Sequence, residues 1–159
     1  NSFFHMLLFD ALTGNNDRHY YNWGVISHIK NEHKPYFSPV YDTARGLLWN
    51  QSDEKVISLQ KELSNPNNKK VLNYVLNSVP KISVPHNSKC NHFELIEFLN
   101  EKKYFNDEHK SVWTNHKFLD EAIVKLNSEF ERLFIKERRE VIQYVLDLRF
   151  KKITKILNK

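Results

Sequence analysis

The sequence predicts a mainly α-helical fold with one small β-hairpin near its N-terminus. Three observations point to it. Apolar residues recur at helical spacing through residues 70–79, 118–134 and 137–157. The run Phe3-Phe4-His5-Met6-Leu7-Leu8-Phe9 is apolar nearly all round, as a central buried helix is. Two runs with strand-like composition, residues 22–29 and 35–41, flank a polar stretch of hairpin length.

Taken in order, Ser2 is placed to cap a first helix over residues 3–12, and Gly14 to end it. The two strands follow, with Lys30-Asn31-Glu32-His33-Lys34 between them as the hairpin loop. Residues 50–68 are polar, with a short helical signal at 53–63 that Pro66-Asn67-Asn68 breaks. Residues 70–79 place Val71, Leu72, Val75, Leu76 and Val79 on one stripe. A loop over 80–91 carries Pro80 and Pro85, and a short helix covers 92–99. Residues 100–116 mix charged, polar and aromatic side chains and read as loop with a helical turn. Two long helices close the chain. Leu119, Ala122, Ile123, Leu126, Phe130 and Leu133 define the helix at 118–134, and Ile142, Leu146, Phe150, Ile153 and Leu157 the one at 137–157.

A chain of 159 residues is long enough for one domain with a real core, here residues 1–159. Eleven Phe and seven Tyr argue against disorder. A net charge of +5 admits acidic partners such as nucleotides, nucleic acid or a membrane surface, and requires none. The single cysteine, Cys90, excludes an internal disulfide and fits a reducing compartment. No apolar run reaches transmembrane length and no signal-peptide pattern is visible, so a cytoplasmic protein without a membrane partner is expected.

Gly14-Asn15-Asn16-Asp17-Arg18-His19-Tyr20-Tyr21-Asn22 is the stretch that carries chemistry. It is polar, yet it stands between the apolar run at 3–9 and Trp23-Gly24-Val25-Ile26. Polar groups wedged between buried segments need partners, and a bound metal or ligand is one kind. A hairpin folded about Glu32 brings Asn22 and Asp42 side by side at its open end, roughly 5 Å apart between Cα atoms. Asp17 lies just before that end. One amide oxygen and two carboxylates then converge, a donor set that suits Mg²⁺.

The pattern Asp17-x-His19-x-x-Asn22, followed by Pro39-Val40-Tyr41-Asp42, resembles the catalytic core of HipA-like serine/threonine kinases, bacterial enzymes best known as toxins of toxin–antitoxin pairs. The spacing of five from Asp17 to Asn22 is also that of the protein-kinase catalytic loop. Asp-Arg-His followed by Asn is similar to the loop of phosphoinositide 3-kinases as well, which leaves a protein, lipid or small-molecule acceptor open. The resemblance implies a protein-kinase-like C-terminal lobe that uses ATP and Mg²⁺. It implies Asp17 as catalytic base, Asn22 and Asp42 as the Mg²⁺ and nucleotide ligands, and a phosphate-facing role for His19. Cys90-Asn91-His92-Phe93-Glu94-Leu95-Ile96 and Arg149-Phe150-Lys151-Lys152-Ile153 are similar to the family's C-terminal sequence. A protein substrate, by resemblance an aminoacyl-tRNA synthetase, and an antitoxin are the implied partners. Gly14, Gly24 and Gly46 are the only glycines, so no glycine-rich phosphate loop is present. The expectation is therefore the C-terminal lobe of a larger kinase, its N-terminal lobe supplied from elsewhere.

Other readings stay open. The chain is alternatively a non-catalytic kinase-like interaction module or one half of a split kinase. Residues 136–159 hold eight basic and three acidic side chains, which admits a basic helical nucleic-acid binder, although a solvated helix face is the default and direct nucleic-acid contact is not expected. Arg18 fits either a phosphate contact or an ion pair with a nearby carboxylate. His86, Cys90 and His92 fall within seven residues but lack a fourth zinc ligand, so a buried thiol and a capping histidine are expected there. Thr43, Ser52 and Ser58 follow Asp42 and are the residues to consider for phosphorylation.

Overall fold

The computed structural model describes residues 1–30, 34–65 and 68–159. Its helices are α1 (Ser2–Thr13), α2 (Asp53–Lys61), α3 (Lys69–Leu76), α4 (His92–Glu101), α5 (Asp107–Trp113), α6 (His116–Glu129) and α7 (Lys136–Leu157). A two-stranded antiparallel sheet, β1 (Val25–Ile26) and β2 (Tyr36–Phe37), stands between α1 and α2. The fold is mainly α with a small hairpin, and among the described residues no helix is long and apolar enough to cross a membrane.

The core is organised on α7. Its stripe of Ile142, Val145, Leu146, Phe150, Ile153 and Leu157 repeats every three or four residues and is buried. All six other helices pack against α7. α1 crosses it and buries Met6, Leu7, Leu8, Ala11 and Leu12. The left-handed Gly14 (φ 70°) closes α1, and the amides of Gly14 and Asn15 both donate to the Asp10 carbonyl. A side chain at Gly14 would also meet the Arg149 guanidinium of α7 at 3.3 Å.

Several boundaries differ from the sequence expectations. Asn1, not Ser2, occupies the cap position of α1. α3 begins earlier than expected because the Asn68 side chain accepts from the Val71 amide, and it ends at Leu76 instead of 79. α6 stops at Glu129, five residues before the expected end, and the Phe130 and Phe134 rings stack at 5.7 Å just beyond it. α5, seven residues long, stands in the middle of the stretch 100–116 that was expected to be loop with a helical turn. Asn106 and His109 form a reciprocal capping box, and His109 and Trp113, four residues apart, are buried. Trp113 Nε1 donates to His5 Nδ1 at 2.9 Å, tying α5 to α1. The expected break at Pro66-Asn67 and the hairpin loop centred on 31–33 lie outside the described residues.

The hairpin needs the largest correction. Its strands span two residues each rather than eight and seven, and the pairs are Val25 with Phe37 and Ile26 with Tyr36. Continued outward, that register sets Asn22 opposite Val40, two residues short of Asp42. The ladder stops before either residue because Tyr20–Asn22 turn into a short 3₁₀ helix. One attachment of the hairpin to the body is aromatic. Phe3 of α1 meets Trp23 at 4.9 Å and Phe37 at 6.2 Å, and Trp23 stacks on Phe37.

Candidate functional site

The candidate site is built outward from Asp10, the one carboxylate in an otherwise apolar helix. Asp10 is buried and cannot stay charged there alone. Its partner is Arg18, also fully buried, whose Nε donates to Oδ2 at 2.7 Å and whose Nη2 donates to Oδ1 at 3.0 Å. The remaining nitrogen, Nη1, donates to the carbonyls of Asn22 (2.6 Å) and Tyr41 (2.7 Å). One guanidinium thereby joins α1, the turn at Asn22 and the chain just before Asp42. Of the two readings open for Arg18, the carboxylate pair is the one observed. The two ends of the hairpin are joined by this bracket, where strand pairing was expected to join them.

The loop between Gly14 and Asn22 is held from inside. Asn15 Nδ2 donates to Asp10 Oδ1 at 2.9 Å, and Asn15 Oδ1 accepts from the Asp17 amide at 3.3 Å. Asn22 Nδ2 donates to the Asp17 carbonyl at 2.9 Å, so the amide oxygen is the end of Asn22 left for a cation. The Tyr21 amide donates to His19 Nδ1 at 3.3 Å. In the neutral ring that leaves Nε2–H as the donor, on a half-buried side chain. Asp17 Oδ2 is 3.1 Å from Arg45 Nε. Asp42 is exposed and left-handed (φ 51°), a conformation that Asp tolerates better than most residues. Leu47 (φ 48°) and Leu48 (φ 65°) are left-handed as well, which for leucine is strain, and strain of this kind gathers near working sites.

A second buried contact reaches this loop from α4. His92 lies with Nδ1 2.8 Å from the Ser78 carbonyl and Nε2 2.8 Å from the Asn15 carbonyl. Two acceptors favour the doubly protonated ring. Burial opposes it more strongly, helped by the nearby Arg149 cation, and holds the His92 pKa down to about 4. Arg149 is itself buried, donates to the carbonyls of Ala11 and Val75 at 2.6 Å each, and stacks over Phe93. Desolvation lowers its pKa to about 10. His92 is not the cap of α4; Asn91 is, in a capping box with Glu94. With both ring nitrogens of His92 engaged, and the Cys90 thiol buried, raised in pKa by that burial and 3.8 Å from the Ile82 carbonyl, the His86, Cys90 and His92 run forms no zinc site.

Asp10, Asn15 and His92 are the positioning residues that motif reading missed. The signal for Asp10 was available: a lone acid in an apolar helix requires a buried cation. The signal for His92 was not, since its acceptors are backbone carbonyls from distant segments.

Asn22 offers its amide oxygen and Asp42 its carboxylate, donors of the kind a hard divalent cation takes. Among the described residues no group of three or more His, Cys, Asp or Glu side chains forms a metal site, so a cation here would draw further ligands from a bound phosphate. No protein-family model, curated protein or solved structure matches this chain.

Proposed function

We propose that this chain carries the catalytic loop and metal-ligand segment of an ATP- and Mg²⁺-dependent serine/threonine protein kinase similar to the HipA-like toxin kinases. The observation that supports this reading is the Arg18 bracket. It ties the backbone at Asn22 and Tyr41 to the buried Asp10, while the Asn22 side chain holds the Asp17 carbonyl, and Asp17 and Asn22 stand at the spacing a phosphoryl-transfer loop uses. The kinase-like C-terminal lobe, the protein substrate (an aminoacyl-tRNA synthetase by resemblance) and the antitoxin partner belong to the same reading. So does a phosphate-binding lobe contributed from outside these residues.

In this reading Asp17 orients the acceptor hydroxyl and takes its proton as the Oγ–P bond forms and the bond to the ADP oxygen breaks. Asn22 and Asp42 hold the metal, which neutralises phosphate charge when bound. His19 Nε2–H is the donor for a phosphate oxygen. The buried Asp10, Asn15 and Arg18 do no chemistry; they fix the loop that does.

The test is calorimetric titration of the complete gene product with Mg·ATP, together with a transfer assay. Asp42→Asn is expected to weaken Mg·ATP binding by at least about tenfold. Asp17→Ala is expected to bind Mg·ATP nearly as the parent does and to lose transfer by about 10²-fold or more. Unchanged binding by Asp42→Asn, or transfer retained by Asp17→Ala, would sink the proposal.

A non-catalytic interaction module, or one half of a split kinase, is the second reading, and the exposed large apolar side chains of the hairpin region favour it. Tyr20, Tyr21, Val25, Tyr36 and Tyr41 are all exposed there. A folded protein that never binds Mg·ATP would decide for the module. Nucleic-acid binding has less behind it. On the basic last helix Arg138 pairs with Asp53, Lys136 with Glu140 and Lys151 with Asp147, while Arg149 is buried.

A further inference from the structure

A cleft of about 580 Å³ opens beside the Asp17 loop. Asn16 lines it from the loop, Arg45 and Trp49 from the segment after Asp42, and Tyr74, Ser78 and Lys81 from the far wall. Its lining includes two cations, Arg45 and Lys81, and no carboxylate. The chain between Arg45 and Trp49 carries the two left-handed leucines; the Leu47 amide is fixed on the Thr13 carbonyl and the Leu48 amide on the Tyr74 hydroxyl. Arg45 stands between cleft and loop. Its guanidinium lies 5.3 Å from the Trp49 ring centre and contacts Asp17 through Nε, with 49% of its side chain exposed against 15% for Asp17.

We propose that this cleft receives an acidic peptide, a segment whose serine or threonine is flanked by aspartate or glutamate, and that the peptide carboxylate draws Arg45 away from Asp17. An ion pair whose arginine is open to solvent is weak and readily exchanged for another. A second carboxylate placed near Lys81 and Trp49 gives Arg45 an alternative partner without moving it far. While Arg45 is paired with Asp17, one carboxylate oxygen of the base is engaged; when the peptide takes Arg45, that oxygen is released beside the incoming hydroxyl. Substrate selection and exposure of the base are then one event. That the peptide hydroxyl receives a phosphoryl group rests on the kinase reading; the cleft, its charge and the exchange of Arg45 do not.

The test is fluorescence anisotropy of the complete gene product with two labelled peptides, Asp-Glu-Ser-Glu-Asp and Lys-Lys-Ser-Lys-Lys. The acidic peptide is expected to bind and the basic one not. Lys81→Glu and Arg45→Ala should each weaken acidic-peptide binding by about tenfold, with unchanged circular dichroism and melting temperature. Asp17→Asn removes the internal competitor for Arg45 and should tighten binding several-fold; that gain should vanish in an Arg45→Ala background, whereas a merely adjacent charge would give it in both backgrounds. Failure of the acidic peptide to bind, equal binding of the basic peptide, or weaker binding by Asp17→Asn would each overturn the inference. Peptide binding with the expected variant pattern but no phosphoryl transfer would uphold the cleft and remove the kinase reading. Transfer to the basic peptide in preference would do the reverse.

Discussion

Arg18 shows how much one side chain can determine. Its charge is neutralised by Asp10 and both Nη1 hydrogens go to carbonyls, so removing Asp10 leaves a buried cation with two of these four hydrogen bonds. Asp10→Ala is expected to lower stability by about 3–5 kcal/mol, measured by urea unfolding. The double variant Asp10→Ala with Arg18→Leu should recover part of that loss, because it removes the orphaned charge. His92 predicts a pH effect of definite sign. Its pKa falls from 6.5 to about 4 on folding, so the unfolded chain binds the proton more readily. Its contribution is therefore complete above about pH 6.5 and is lost as pH falls toward 4, by about 3 kcal/mol in all. Parent and His92→Gln unfolding free energies, compared from pH 7 to 4, should converge as the pH drops; parallel curves would show that His92 does not titrate in this way.

At the scale of elements, legibility followed how local the cause is. α7 was readable because its apolar residues repeat at helical spacing, and α1 because an apolar run ends at Gly14. α5 was not, because its buried face consists of a histidine and a tryptophan, and its capping box uses His109 where Glu or Gln would have signalled it. The hairpin was readable as a hairpin but not in register. Trp23 and Phe37 pack against Phe3, and the 3₁₀ turn takes Asn22 out of the strand; neither tertiary contact leaves a trace in strand periodicity. The sequence singles out Asp17, Asn22 and Asp42 because polar residues between apolar runs stand out. How the set is held was hidden, since the holding groups are backbone carbonyls and a carboxylate eight residues upstream of Arg18.

The molecule as a whole has one rigid centre and one light appendage. Every other helix packs on α7, whereas the hairpin is tied down by three aromatic rings and by the two carbonyl bonds of Arg18. Because a single guanidinium clasps the carbonyls of Asn22 and Tyr41, the intervening segment leaves the body and returns to it at almost the same point. Its length is therefore largely uncoupled from the site. For an excursion already closed at its base, doubling the number of residues costs only about 0.6 kcal/mol. A flexible Gly-Ser graft or a small folded tag introduced between Lys30 and Lys34 should leave the melting temperature nearly unchanged in the parent. The same graft in an Arg18→Ala background should be far more damaging than the two changes summed. This excursion is the natural port for adding a reporter domain, and Arg18 is the clasp that makes it one.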